Sequence, residues 1–299
     1  MVFSSFYRYF LGSLFILSTL AYLTYSFSPK KKLSPIAFLD TTATSIIESR
    51  IKRLSEENKT VIDALQADLE TEYQKGLAAL QQEFNIPPKD WNAVINILTT
   101  LEEKDDLISP NPIKSNIQAI QNPFIKKLYK VLEEYSINPS RIKIEYVDSP
   151  GSFISAGQGY FDKKVTHVLR LNMKVIEQRT QDIQEAFLRH EIIHLLHYDG
   201  LELLFIKELL EQHGVKENVY LKNPAFIEYK KFKEYRADLL AANSVAIAES
   251  FLKDFANMIK LRPNEQINPT HTSHPTEAQR YNAMSSLHAH LQTEQTLLT

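Results

Sequence analysis

Cysteine is missing from all 299 residues. Its absence excludes a disulfide framework, a thiol nucleophile and any metal site built from thiolates. It leaves the redox compartment open. An excess of positive charge is missing too. Lysine and arginine number 34 against 36 aspartates and glutamates, for a formal net charge of -2. That balance gives no electrostatic attraction to nucleic acid, and no nucleic-acid partner is expected. There is no internal repeat, no low-complexity tract and no G-x-S-x-G run of the kind that carries a serine nucleophile. What is present is an ordinary globular balance, 43% hydrophobic and 23% charged. The length suits one ordinary domain plus a smaller attachment.

One long apolar run stands out. No charge occurs from Tyr9 to Phe27, with Arg8 before the run and Lys30, Lys31 and Lys32 after it. It is near the lower length limit for a membrane-spanning helix, roughly 17–25 residues. Tyr7, Tyr9, Tyr22 and Tyr25 sit near its ends, where amphipathic rings favour the interface. A cleaved signal peptide is the rival reading, but Tyr25 and Phe27 crowd the place where small residues are wanted. The expectation is a single-pass N-terminal anchor over residues 1–28. The three lysines favour a cytoplasmic catalytic part, and the sidedness stays open.

Residues 29–121 read as a tether and a helical region. Apolar residues from Ile47 through Leu65, Leu69, Tyr73, Leu77, Leu80 and Phe84 recur in steps of three and four, so one amphipathic helix is expected over 45–84. Its stripe suits either packing on neighbouring helices or a protein partner, and packing is preferred because the repeat drifts from strict heptads. Pro87-Pro88 stops it, a second helix follows from Lys89 to Glu103, and 104–121 reads as linker.

From Asn122 the texture changes. Asn122-Pro123 is a helix start. Strands are expected over 141–147, 153–156 and 165–172, with Gly157 and Gly159 marking a turn. The segment VTHVLRLN (165–172) is the candidate edge strand of a small sheet. A helix then opens near Thr180, and a long helical stretch covers 225–259.

Two helical segments carry the chemistry. His190-Glu191-Ile192-Ile193-His194 sits among apolar neighbours Phe187, Leu188, Leu195 and Leu196. Residues four apart share one helix face, so two imidazoles can reach one ion while Glu191 lies at its flank. Polar side chains in so apolar a helix need partners, and a metal ion supplies them. A catalytic site of this kind needs a third protein ligand. His197 lies one turn further along and reads as a supporting residue or a half-exposed helix end. A longer motif that demands glycine at 197 and histidine at 200 is excluded, since the chain has His197 and Gly200. The better candidate is Glu234, in Glu234-Tyr235-Arg236-Ala237-Asp238, with Asp238 one turn on to accept a ring N–H from a ligating histidine. A last cluster, His271 to Pro275 and then Arg280, offers His274 or Arg280 as donor to an oxyanion, or Arg280 as partner of a carboxylate at the site edge.

HEIIH at 190–194, EYRADLLAA at 234–242 and SHPTEAQR at 273–280 occur in that order, and residues 122–286 as a whole resemble the M48 family of gluzincin metallopeptidases. That group includes HtpX-like and CaaX-prenyl-protein endopeptidases. Where the family has an Asn-Ala-Phe-like patch after the first strand, this chain has Ser152 to Ala156. The resemblance implies one zinc ion on His190, His194 and Glu234, Glu191 as general base, support from Asp238, and the late His274 and Arg280. It implies an α+β, mostly helical, zincin-like domain over 122–299, acting on polypeptide substrates. A membrane-tethered scaffold or chaperone-like binding protein that keeps the zinc site is the alternative.

Overall fold

The computed structural model describes residues 61–108, 121–148, 153–162, 164–263 and 274–298. The expected anchor 1–28, the tether, the 45–60 part of the long helix, most of the 104–121 linker and His271 lie outside the described residues. Among those that are described, no helix is long and apolar enough to cross a membrane.

The fold is mostly helical with one small sheet, an α+β arrangement. Helices α1 (Val61–Glu83), α2 (Pro88–Lys104) and α3 (Pro123–Glu134) come first, then a 3-10 turn (Pro139–Arg141). Strands β1 (Ile142–Tyr146), β2 (Ile154–Phe161) and β3 (Lys164–Leu171) follow. The remainder is helical: α4 (Met173–Ile176), α5 (Gln181–Leu196), α6 (Asp199–Gln212), α7 (Glu217–Tyr220), α8 (Pro224–Ala241), α9 (Val245–Leu261) and α10 (Glu277–Leu298).

Local chemistry explains the boundaries. Asn122 Oδ1 accepts from the amides of Phe124 and Ile125 at 3.0 and 3.1 Å, ahead of Pro123 at the first helical position. Asn223 and Pro224 repeat the device for α8, with Asn223 Oδ1 accepting from Ala225 N at 2.9 Å. An asparagine side chain satisfies orphan amides, and proline has none to satisfy. α1 ends at Glu83, and Asn85 with its left-handed backbone (φ 52) turns the chain before Pro87. The single helix expected over 225–259 is two. It breaks after Ala241, and Ser244 caps α9 by accepting from Ile247 N at 3.4 Å. Asn243 and Ser244 compete for backbone bonds and so favour a cap over a helix interior.

The sheet order is β1-β3-β2, with β1 parallel and β2 antiparallel to β3. VTHVLRLN is therefore the central strand, which corrects the edge expectation; the edges are β1 and β2. Gly157 and Gly159 also lie inside β2, not in a turn. At Gly157 the missing side chain has a use, because a Cβ there would come within 2.8 Å of the Arg170 guanidinium that crosses it. Residues 165, 167, 169 and 171 of β3 are buried, so alternation points that face at the helices.

α5 lies between two cores. Leu188, Ile192 and Leu195 join Leu128, Leu132, Ile154 and Leu169 from α3 and the sheet. Ala186 and Ile193 join the other core, where Leu65, Leu69, Tyr73, Leu77 and Leu80 of α1 and Trp91 of α2 meet Phe226, Tyr229 and Phe232 of α8. The α1 stripe is thus spent on packing, and the motif helix is fixed from both sides.

Asp105, read as part of a linker, is instead an anchor, half-buried as a residue with its side chain only 1% exposed. Its carboxylate accepts from Arg141 Nη2 at 2.9 Å, Tyr198 Oη at 3.0 Å and His167 Nε2 at 2.5 Å. Burial alone would raise its pKa, but the bonds from His167, Arg141 and Tyr198 outweigh it and hold the carboxyl at about 2, against 3.8 for the free group. The folded value lies below the unfolded one. The stabilisation is thus complete above pH 3.8 and is lost as pH falls through about 2. At roughly 1.4 kcal/mol per unit, and discounted for solvent screening of a half-buried residue, that is on the order of 1–2 kcal/mol. Urea unfolding across pH 2–5 is expected to show this slope in the wild type and a flatter one in Asp105→Asn.

Candidate metal centre

The i,i+4 spacing on α5 brings His190 and His194 together, ring centroids 4.6 Å apart and nearly perpendicular. Their Nε2 atoms are 3.0 Å apart. Glu234, midway along α8, turns toward both, with Oε2 at 3.5 Å from His190 Nε2 and Oε1 at 3.8 Å from His194 Nε2. An ion bound tetrahedrally at roughly 2.0–2.1 Å holds its ligands about 3.3–3.4 Å apart. The three separations straddle that figure. Among the described residues, His190, His194 and Glu234 form the one group of three acidic or histidine side chains able to hold a metal ion.

The outer nitrogens are committed. His190 Nδ1 lies 2.8 Å from Asp238 Oδ1, a charge contact at a poor angle for a hydrogen bond. His194 Nδ1 meets Asp199 Oδ2 at 2.7 Å. A carboxylate accepts and cannot donate, so with an ion in place of the Nε2 protons each ring would carry its proton on Nδ1 and turn an Nε2 lone pair inward. Two such lone pairs and a carboxylate facing one point are the donor set of a divalent cation, so the residues fit the ion. His190 is 3% exposed. Burial disfavours its charged form, yet Asp238, Glu234 and Glu191 overcome this and push its pKa up to about 10. So negative a pocket calls for a positive occupant. For Glu234, burial works against the charge, and the bonds from His190 and His274 keep the carboxyl well below the usual range.

Glu191 lies on the flank of the site, half-buried, and its Oε2 accepts from the backbone amide of Ala156 at 2.6 Å. That amide is on the free edge of β2. Phe153 O bonds back toward β3 through Asn172 N, and alternation turns residue 156 the other way. The Phe187 ring, 6.4 Å from that of His190, forms an apolar wall.

The late residues divide. His274 Nδ1 lies 3.1 Å from Glu234 Oε1, with the ring 61% exposed at the mouth of the site. Arg280 is turned to Asp238, donating from Nε at 2.6 Å and Nη2 at 2.5 Å, and it stacks on Phe255 at 4.7 Å. Its contact is with the carboxylate behind His190. His197 ends α5, and burial with the nearby Arg236 charge lowers its pKa to about 4.

Sequence reasoning missed Asp199 and Ala156. Asp199 follows Tyr198, whose left-handed backbone (φ 53) folds the chain back beside His194. No helical period links residues 194 and 199 across that turn. Ala156 acts through a backbone amide, which side-chain identity does not encode. No family model, curated protein or solved structure matches the chain.

Proposed function

We propose that the chain is a zinc-dependent endopeptidase with a zincin-like, M48-type catalytic domain, acting on unfolded or membrane-associated polypeptides. The observation that carries the reading is the convergence of His190 Nε2, His194 Nε2 and Glu234 on one point, with the Glu191 carboxylate at its flank. Imidazole and carboxylate donors at this spacing suit zinc. Bound there, zinc would supply Lewis-acid polarisation of a carbonyl and a more acidic water.

The chain's own residues supply the rest. Glu191 takes a proton from the attacking water and returns it to the leaving amine. Asp238 and Asp199 hold the two imidazoles in one tautomer. His274, exposed at the mouth, is the donor to the oxyanion. Arg280 supports Asp238. An extended peptide would add as a strand at the outer edge of β2 beside Glu191, taking over the Ala156 amide that Glu191 Oε2 holds. Backbone pairing favours extended, unfolded substrates over folded ones. The N-terminal apolar run would tether the enzyme to a membrane.

The full chain incubated with casein tests the reading. Cleavage is expected, with loss on adding 1,10-phenanthroline and recovery on adding zinc. Cleavage that ignores the chelator, or none with zinc bound, would count against it. A second expected result concerns the edge. Proline is tolerated on an edge strand but has no amide to donate. Ala156→Pro is expected to keep its circular dichroism and zinc while kcat/KM for casein peptides falls at least about tenfold, one charge-assisted hydrogen bond's worth.

A further inference from the structure

Each histidine of the centre is backed by an aspartate, and each aspartate by an arginine. Asp238 is held by Arg280 of α10. Asp199, whose Oδ2 accepts from His194, also accepts at Oδ1 from Nη2 of Arg236 on α8. Arg236 lies two residues beyond Glu234 and has no part in the ligand set.

Arg236 is 3% exposed, and a buried cation needs compensation. Asp199 supplies most of it. α1 adds to it, with the Tyr73 ring 4.3 Å from the guanidinium and Glu70 Oε2 3.9 Å from Nη1, and Glu202 of α6 contributes its charge. The Tyr73 hydroxyl donates to Glu202, which also takes the Tyr229 hydroxyl and, at 2.8 Å, Lys233 Nζ. Lys233 donates in turn to the backbone carbonyl of Asp199 at 2.9 Å. Asp199 is therefore gripped at its carboxylate by Arg236 and at its backbone by Lys233, and Tyr73 presses on this pair from α1. The grip is needed locally. Asp199 opens α6 after a left-handed residue, with no side-chain cap to fix the turn.

Resting on the zinc reading, we propose that Arg236 is a positioning residue that acts through Asp199 to aim the His194 imidazole, and that Tyr73 braces it. Helix 61–83 is then a component of the metal centre. A stacked guanidinium with one nitrogen on a carboxylate fixes direction as well as charge, which an ammonium does less well.

The test is a double-mutant cycle on the full chain, read as zinc affinity by competition with a chromophoric chelator and as the visible spectrum of the cobalt(II) form. Arg236→Gln and Asp199→Asn are each expected to weaken zinc by about 10–100-fold, the range for residues that orient a metal ligand. The double variant is expected to be no weaker than the worse single, because both changes cut one link. Arg236→Lys is expected to recover part of the loss. Should Arg236→Gln fail to fold, Tyr73→Leu against Tyr73→Phe decides. The phenylalanine keeps the ring under Arg236 and is expected to bind zinc near the wild-type level with an unchanged cobalt spectrum, while the leucine weakens binding and shifts the spectrum. Wild-type zinc affinity in both Arg236→Gln and Tyr73→Leu, or losses that multiply fully in the double variant, would overturn the proposal. A wild-type chain that binds no zinc would instead overturn the metallopeptidase reading on which it rests.

Discussion

Glu191→Gln is expected to lower kcat for peptide hydrolysis by about 10²–10⁴-fold, the range of general-base catalysis, and to leave zinc bound. Both halves of that result follow from the geometry. Glu191 is not among the three side chains whose donor atoms converge. Glutamine keeps the shape and an oxygen that can still accept from Ala156 N, so the strand–helix contact survives. What it cannot do is take a proton. The loss should fall on kcat more than KM, since the proton moves in the transition state. Equal turnover in the two proteins, measured on a fluorogenic peptide with zinc content checked, would remove Glu191 from the reaction.

Glu234→Ala is expected to release the ion. Of the three candidate ligands among the described residues it removes the one that does not come from α5, and it also removes the carboxylate that His274 Nδ1 approaches at 3.1 Å. Two histidines on one helix remain, a far weaker site. The consequence extends to stability, because a ligand bound only by the folded chain stabilises it by about 4 kcal/mol at a thousandfold excess over Kd. For a domain of this size that is a rise in Tm on the order of 10 °C. Wild-type protein should show the rise when zinc replaces EDTA, and Glu234→Ala should show almost none. A full rise in the variant would mean that zinc binds elsewhere.

Much of the site was legible because it is encoded in helical periodicity. HEIIH and the Glu234–Asp238 pair each rest on a four-residue step, and Asp238 Oδ1 lies 2.8 Å from His190 Nδ1. The asparagine–proline helix start at 122 was legible for the same reason, since a cap is a local event. What escaped depends on chain reversal or on backbone groups. Asp199 reaches His194 only through the left-handed turn at Tyr198. Asp105 meets His167 across 62 residues, and nothing in Lys104-Asp105-Asp106 distinguishes a buried aspartate from a solvated one. Strand order is a tertiary property. VTHVLRLN alternates as any half-buried strand does, and alternation does not say whether one neighbour or two will pair with it. Arg236 is one of several basic residues on α8, and its burial against Asp199 of α6 and the Tyr73 ring of α1 is a tertiary property.

The claim beneath all of this is that His190, His194 and Glu234 share one zinc ion. Crystals of the zinc-loaded chain, with diffraction recorded on either side of the zinc absorption edge, test it directly. The account predicts one anomalous peak about 2.0–2.2 Å from His190 Nε2, His194 Nε2 and a Glu234 oxygen. No peak between those atoms, or a peak elsewhere with Glu234 turned away from both rings, would contradict it.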